Sequence, residues 1–151
     1  MNTAARGGHP RLEKLPEWPT KTVAVLATVD PDPHAIPVSA PVRAGDRLIL
    51  LNLKRGRGSL ARLRNRPRVA LLILAGGNLA FTARGTAHVV EEPMESAPDY
   101  AAIGFEVEEI DDHRQAECVV ESGVDRRWTD GHEQRALGAG VAALRDLTAP
   151  W

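Results

Sequence analysis

A single cysteine, Cys118, stands in 151 residues. That excludes an internal disulfide and a thiolate zinc cluster, and it fits a reducing interior. Cys118 itself reads as a small apolar residue within a strand. Aromatic residues are few, three Trp, two Phe and one Tyr, and they form no interleaved array for stacking single-stranded nucleic acid. Net charge is equally sparse: 19 Lys plus Arg against 20 Asp plus Glu gives −1, which excludes general attraction to polyanions. Residues 1–19 contain no continuous apolar segment and carry Arg, Glu and Lys between prolines, which predicts no signal peptide, no membrane span and a soluble, cytoplasmic protein. The histidines at 9, 34, 88, 113 and 132 have no one-turn helical spacing, so no metal site is expected. His113 reads as part of a turn between strands. Ser39, Ser59 and Ser122 lack a nucleophile-elbow setting, and neither a Walker loop nor a three-glycine dinucleotide fingerprint is present.

One further absence is local. No Asp or Glu occurs from Arg47 through Val90, although this stretch holds Lys54-Arg55-Gly56-Arg57-Gly58-Ser59 and further arginines beyond it. From Glu91 to Asp125 the balance reverses, with Arg114 the only Lys or Arg. In a chain that is neutral as a whole, such segregation outlines a local anion site rather than a basic protein. A solvated basic face would give the same composition.

The length suits one domain with one core. Residues 1–20 are predicted to be an arm, broken by Pro10, Pro16 and Pro19, with Leu12, Leu15 and Trp18 able to pack it down. The domain, residues 21–151, should open with strands at Thr22–Val29, His34–Ala44 and Arg47–Leu53, separated by the turns Asp30-Pro31-Asp32-Pro33 and Gly45-Asp46. Ser59–Arg66 has the pattern of a short helix with one apolar edge, ended by Pro67. Arg68–Leu74 and Leu79–Glu92 are the next strands, the second with a possible bulge at Gly85. A short helical connection at Pro93–Ala102, strands at Ile103–Ile110 and Glu117–Ser122, and a C-terminal helix at His132–Leu147 complete the expectation. Closely spaced strands with few crossover helices point to an antiparallel barrel, mainly β. Leu72 and Leu74 lie in a strand apolar on both faces, which suggests cover by a second subunit. Glu106, Glu108 and Glu109 partly alternate, as a wet strand face or as partners for the arginines.

Ser59 is a good N-cap, preceded by glycines that allow close backbone approach. With Ser59 as cap, Arg62 stands at the third helical position and Arg55 and Arg57 just before the cap. Cations then crowd the positive end of the helix dipole, unfavourably by roughly 0.3–1 kcal/mol each, and a bound phosphate would reverse the sign.

The order of these pieces resembles the pyridoxamine 5'-phosphate oxidase-like, FMN-binding split β-barrel family over about Val23 to Trp128. The matching segments are LATVDPDPHAIPVSAPV, LNLKRGRGSLARLRNRPRVALLIL and ARGTAHVVEE. The resemblance implies an antiparallel Greek-key split barrel, a homodimer, and FMN, or in related branches the deazaflavin F420, in a cleft between subunits. It further implies that the phosphate meets Arg57, Ser59 and Arg62, with Lys54 and Arg55 on its approach. By the same resemblance, the isoalloxazine lies along Pro37, Val38, Ser39 and Ala40, with Leu51 and Asn52 beneath it. Trp128, with Arg126 and Arg127, is placed to cover the cofactor from across the dimer, although a Trp at a strand end also reads as packing. One departure stands out: Gly58-Ser59 occupies the place where many members carry an Arg-Lys pair. Either neighbouring arginines replace that pair or flavin binding is altered.

The expected activity is therefore FMN-dependent oxidoreduction of a small molecule. Pyridoxamine phosphate is not the expected substrate, because the family's C-terminal arginine and histidine signature is not found in Trp128–Trp151. The rival readings are an F420-dependent reductase on the same fold and a non-catalytic module that holds flavin, haem or nothing. A nucleic-acid-binding module is the remotest, since the acidic C-terminal third would repel a polyanion.

Overall fold

In a computed structural model the described residues are 10–148. They form seven antiparallel strands and two helices: β1 (Val23–Val29), β2 (Pro33–Ser39), β3 (Val42–Gly45), β4 (Leu48–Lys54), α1 (Gly58–Asn65), β5 (Arg68–Ala75), β6 (Leu79–Glu91), β7 (Tyr100–Asp112) and α2 (Gly131–Thr148). The strands make one sheet in the order β2-β1-β5-β6-β7-β4-β3. Its two edges, β2 and β3, are consecutive in the chain and separated only by Ala40 and Pro41. The sheet must therefore curl until its edges nearly meet, yet β2 bonds only to β1 and β3 only to β4. The result is a barrel with a seam, consistent with a split barrel in which the sheet does not close.

The break at that seam corrects the single strand expected over His34–Ala44. Ala40 has φ 52°, in the left-handed region, and Pro41 cannot donate to a ladder, so the strand ends and changes partner there. Trp18 secures the corner by donating its indole N–H to the Pro41 carbonyl (2.8 Å).

Alternation along β1, β5 and β6 sends Leu26, Leu71, Ile73, Phe81 and Ala83 into the barrel with Ile49, Leu51, Ile103 and Phe105. The described part of the arm packs as expected: Leu15 is buried, Leu12 and Trp18 lie on the core, and Leu12 N–H bonds to the Ile110 carbonyl. The part of the arm formed by residues 1–9 lies outside the described residues. Gly85 does mark a bulge: the β6–β7 register shifts between Arg84 and Gly85.

Four other expectations are corrected. The connection over 93–99 contains tight turns and a Met94–Ala97 bridge rather than a helix. Met94, wholly buried, anchors it, and its N–H bonds to the Tyr100 carbonyl. Glu117–Ser122 is not a strand. Val120 is instead tied to the β5–β6 turn by two hydrogen bonds with Asn78, whose φ of 58° shapes that turn. Cys118 is consequently exposed in a loop rather than packed in a sheet. His113 follows β7 without a further strand, and its Nε2 lies 2.7 Å from the Thr82 hydroxyl.

Helix α2 begins where the Asp130 carboxylate accepts the N–H groups of His132 and Glu133. Its Leu137 and Leu144 pack with Val42, Leu50, Met94, Tyr100 and Ala102 in a second apolar cluster outside β3 and β4. No helix among the described residues is long and apolar enough to cross a membrane.

Candidate cofactor cleft

The seam opens into a cleft of about 520 Å³, within the roughly 300–1,000 Å³ range of small-molecule sites. One wall is β2, represented by His34, Ile36, Pro37, Val38 and Ser39; the other is the end of β4, Asn52 to Lys54. The loop into α1 closes one end through Arg57, Gly58, Ser59 and Arg62. Arg126, Trp128, Glu133 and Leu137 form the remaining side, with Tyr100. Because β2 has no ladder partner toward this side, its outer main-chain groups face the cleft.

The start of α1 differs from expectation. Arg57, not Ser59, is the N-cap, with φ −92° and ψ 150° and no capping side-chain bond. Ser59 is instead the second helical residue and is 5% exposed. Arg62 therefore has its Cα in the last turn. Side chains lean toward a helix N-terminus, and the Arg62 guanidinium reaches back to Gly58, where an added Cβ would lie 2.8 Å from it. The positive head thus still sits at the positive end of the helix. No acid occupies the first turn of α1.

Structure also sorts the cations that composition lumps together. Arg55 and Arg64 share the carboxylate of Glu92, which they hold below the usual carboxylate range by hydrogen bonding. Arg66 pairs with Asp30. Lys54 donates to Glu133 (2.9 Å), and that bond raises the ammonium above its ordinary value. Arg57 and Arg62 have no carboxylate partner among the described residues. They face the same cleft as the buried Ser59.

Of the residues expected to touch a cofactor, Pro37, Val38, Ser39, Asn52, Lys54, Arg57, Ser59, Arg62 and Trp128 line this one cleft. Ala40 lies beyond the seam corner, in a neighbouring hollow with Lys21 and Arg127. Arg55 is turned to Glu92. Leu51 is wholly buried in the barrel; consecutive strand residues point to opposite faces, so Leu51 and Asn52 cannot both lie beneath one ring. Trp128 reaches the cleft of its own chain, with the Arg126 guanidinium 4.7 Å from its ring centroid.

The sequence did not single out His34, Tyr100, Glu133 and Leu137. Tyr100, the only tyrosine, is buried, and its phenol is pushed up chiefly by desolvation. Asn52 is distinctive in another way: it is 6% exposed, and neither its Nδ2 nor its Oδ1 has a hydrogen-bond partner. Buried polar atoms are normally paired, and orphaned ones cost stability unless something else bonds them.

Residues 12–117 match the family described as pyridoxamine 5'-phosphate oxidase. No curated protein matches the chain. Among solved structures, a Lactobacillus delbrueckii protein provisionally named a pyridoxamine 5'-phosphate oxidase aligns at 20% identity and TM-score 0.54, over 66% of this chain and 94% of that one. Group A Streptococcus HupZ aligns at 15% identity and TM-score 0.54, over 68% and 90%. An F420 reductase aligns at 14% identity and TM-score 0.53, over 66% and 100%. At these identities the likeness is one of fold.

Proposed function

Because the chain belongs to the pyridoxamine 5'-phosphate oxidase family, we propose that the seam cleft binds FMN and that the protein is a flavin-dependent oxidoreductase acting on a small molecule other than pyridoxamine phosphate. The observation that carries this reading is the pairing pattern at α1: Arg57 and Arg62 face the cleft without a carboxylate partner among the described residues, beside Ser59. Two guanidiniums and a helix start suit a phosphate, the guanidiniums through charge-assisted hydrogen bonds and the helix through its dipole. This also supplies the charge that Gly58-Ser59 lacks relative to the family's Arg-Lys pair.

The rest of the cleft fits a flat, partly polar ring. Open main-chain groups of β2 around Pro37 to Ser39 would bond its edge, and Ile36 and Val38 would cover its face and exclude water. Trp128 would close one side. The orphaned Asn52 amide offers the ring a donor and an acceptor. A bound flavin supplies hydride or electron transfer between a reduced nucleotide and an acceptor, while this chain binds, orients and shields it.

F420 is the second reading, supported by the likeness of fold to an F420 reductase. Its longer anionic tail suits the cationic hollow beyond Trp128, lined by Lys21, Arg126 and Arg127. A homodimer joined through the outer face of β1 and β5 belongs to the same proposal. In the lone chain Leu74 is 45% exposed and shares this outer face with the exposed Val25 and Val29, more than a soluble sheet face ordinarily leaves bare.

Titration of the purified protein with FMN, followed by flavin fluorescence, tests the site. Arg57→Ala and Ser59→Ala are each expected to weaken binding by about 1–3 kcal/mol. Unchanged affinity in both would move the phosphate elsewhere.

A further inference from the structure

The family match ends at residue 117, yet the cleft is closed on one side by residues beyond it. Helix α2 presents Glu133, Leu137 and Gly140 at i, i+4 and i+7, one stripe along the helix. Glu133 holds Lys54 at 2.9 Å, Leu137 lines the cleft, and Gly140 lies against Asn52. A Cβ on Gly140 would stand 2.8 Å from the Asn52 Nδ2, so the helix backbone sits directly on the amide. This cover leaves both Asn52 polar atoms buried and unpaired.

Both halves of α2 pack in the outer apolar cluster, and the N-terminal half adds an ion pair at the cleft. Leu144, wholly buried, fixes the C-terminal half in the outer apolar cluster. The N-terminal half is held by Leu137 in the same cluster and by the Lys54–Glu133 pair, whose side chains are 31% and 35% exposed. Half-exposed ion pairs of this kind are weak. The chain entering α2, residues 119–130, forms no strand or helix.

We propose that α2 is a lid, docked in the absence of ligand by Glu133 acting as a built-in anion on Lys54. An anionic ligand at Arg57 and Arg62 displaces that carboxylate, and the N-terminal half of the helix lifts to uncover Asn52. The inference rests on the cleft being the ligand site. Its physical content is a competition: the Glu133 carboxylate and a ligand phosphate repel each other across one cleft, and both favour the same ammonium. Asn52 biases the same equilibrium, since only the lifted helix allows its amide a partner.

Hydrogen exchange on the full chain tests this, with wild type and Glu133→Gln, each alone and with FMN or F420. In Glu133→Gln the amides of residues 131–140 should exchange about two- to five-fold faster, as expected for loss of a weak ion pair, with β1–β7 unchanged. Ligand should speed the same amides in wild type and bind the variant more tightly by a similar factor. Unchanged α2 exchange in the variant, or added protection of α2 by ligand in wild type, overturns the lid. If the variant's helix loosens but neither protein takes up FMN or F420, the ion-pair docking stands and the ligand reading fails with its displacement step.

Discussion

Asn52 shows how much a single position in a strand conceals. Its place in LILLNLK gives an inward or outward direction, but the sequence has no sign that the amide ends beneath Gly140, 88 residues later, with nothing to bond. Replacement by Leu removes two orphaned atoms at similar size. Asn52→Leu is expected to stabilise the ligand-free protein by about 1–3 kcal/mol while weakening cofactor binding; thermal unfolding beside FMN titration measures both. A fall in stability would mean that the amide has a structural partner. The arginines teach a similar lesson. Composition revealed a cationic loop, but Arg55 and Arg64 share the carboxylate of Glu92, 37 and 28 residues away, and only folding distinguishes them from Arg57 and Arg62. Ser59 lies on the expected turn in another role: the helix starts two residues sooner than a cap at Ser59 would have it.

At the scale of elements, β5, β6 and the Gly85 bulge were legible because apolar alternation and an isolated glycine are local signals. The break between β2 and β3 was not, since it arises from a change of pairing partner. Among the described residues the bulge is also the most constrained glycine position: a Cβ at Gly85 would lie 2.0 Å from the Glu106 carbonyl oxygen. Gly85→Ala is expected to destabilise at the upper end of the roughly 1–3 kcal/mol typical of overpacking, measured by chemical denaturation. The arm depends on charge as well as on Leu15. Arg11 and Arg84 both meet Glu109 and Asp111, and hydrogen bonding from Arg84 holds the Asp111 carboxyl below its ordinary range. A depressed carboxyl stabilises the folded state fully above its unfolded value of about 3.9, and the contribution is lost as pH falls through the lower folded value. Acid titration followed by fluorescence should therefore show the arm, with Trp18 on Phe81, persisting below pH 3.9 in wild type and loosening at higher pH in Asp111→Asn.

For the whole molecule, the charge segregation that marks the sequence is largely a property of topology. Strand β7, rich in acids, lies between β6 and β4, both free of Asp and Glu until β6 ends at Glu91. Arg84 faces Glu109 across one ladder, and Glu108 answers Arg68. Much of the stretch is thus compensated within the fold; among the described residues Arg57 and Arg62 at the seam have no carboxylate partner, and the Arg47 side chain, at the far end of β4, bonds only to the Glu108 carbonyl. The outer face of β1 and β5 is the other whole-molecule feature, and sedimentation should detect the proposed dimer. Leu74→Glu should convert it to monomer.

Everything proposed for the cleft turns on flavin binding at this seam. That binding is tested most directly by the absorption spectrum of protein purified without added cofactor, followed by parallel titration with FMN and F420. Stoichiometric FMN uptake, weakened by Arg57→Ala, is expected; F420 uptake with no FMN binding would overturn the choice of cofactor, and binding of neither would overturn a flavin site at the seam.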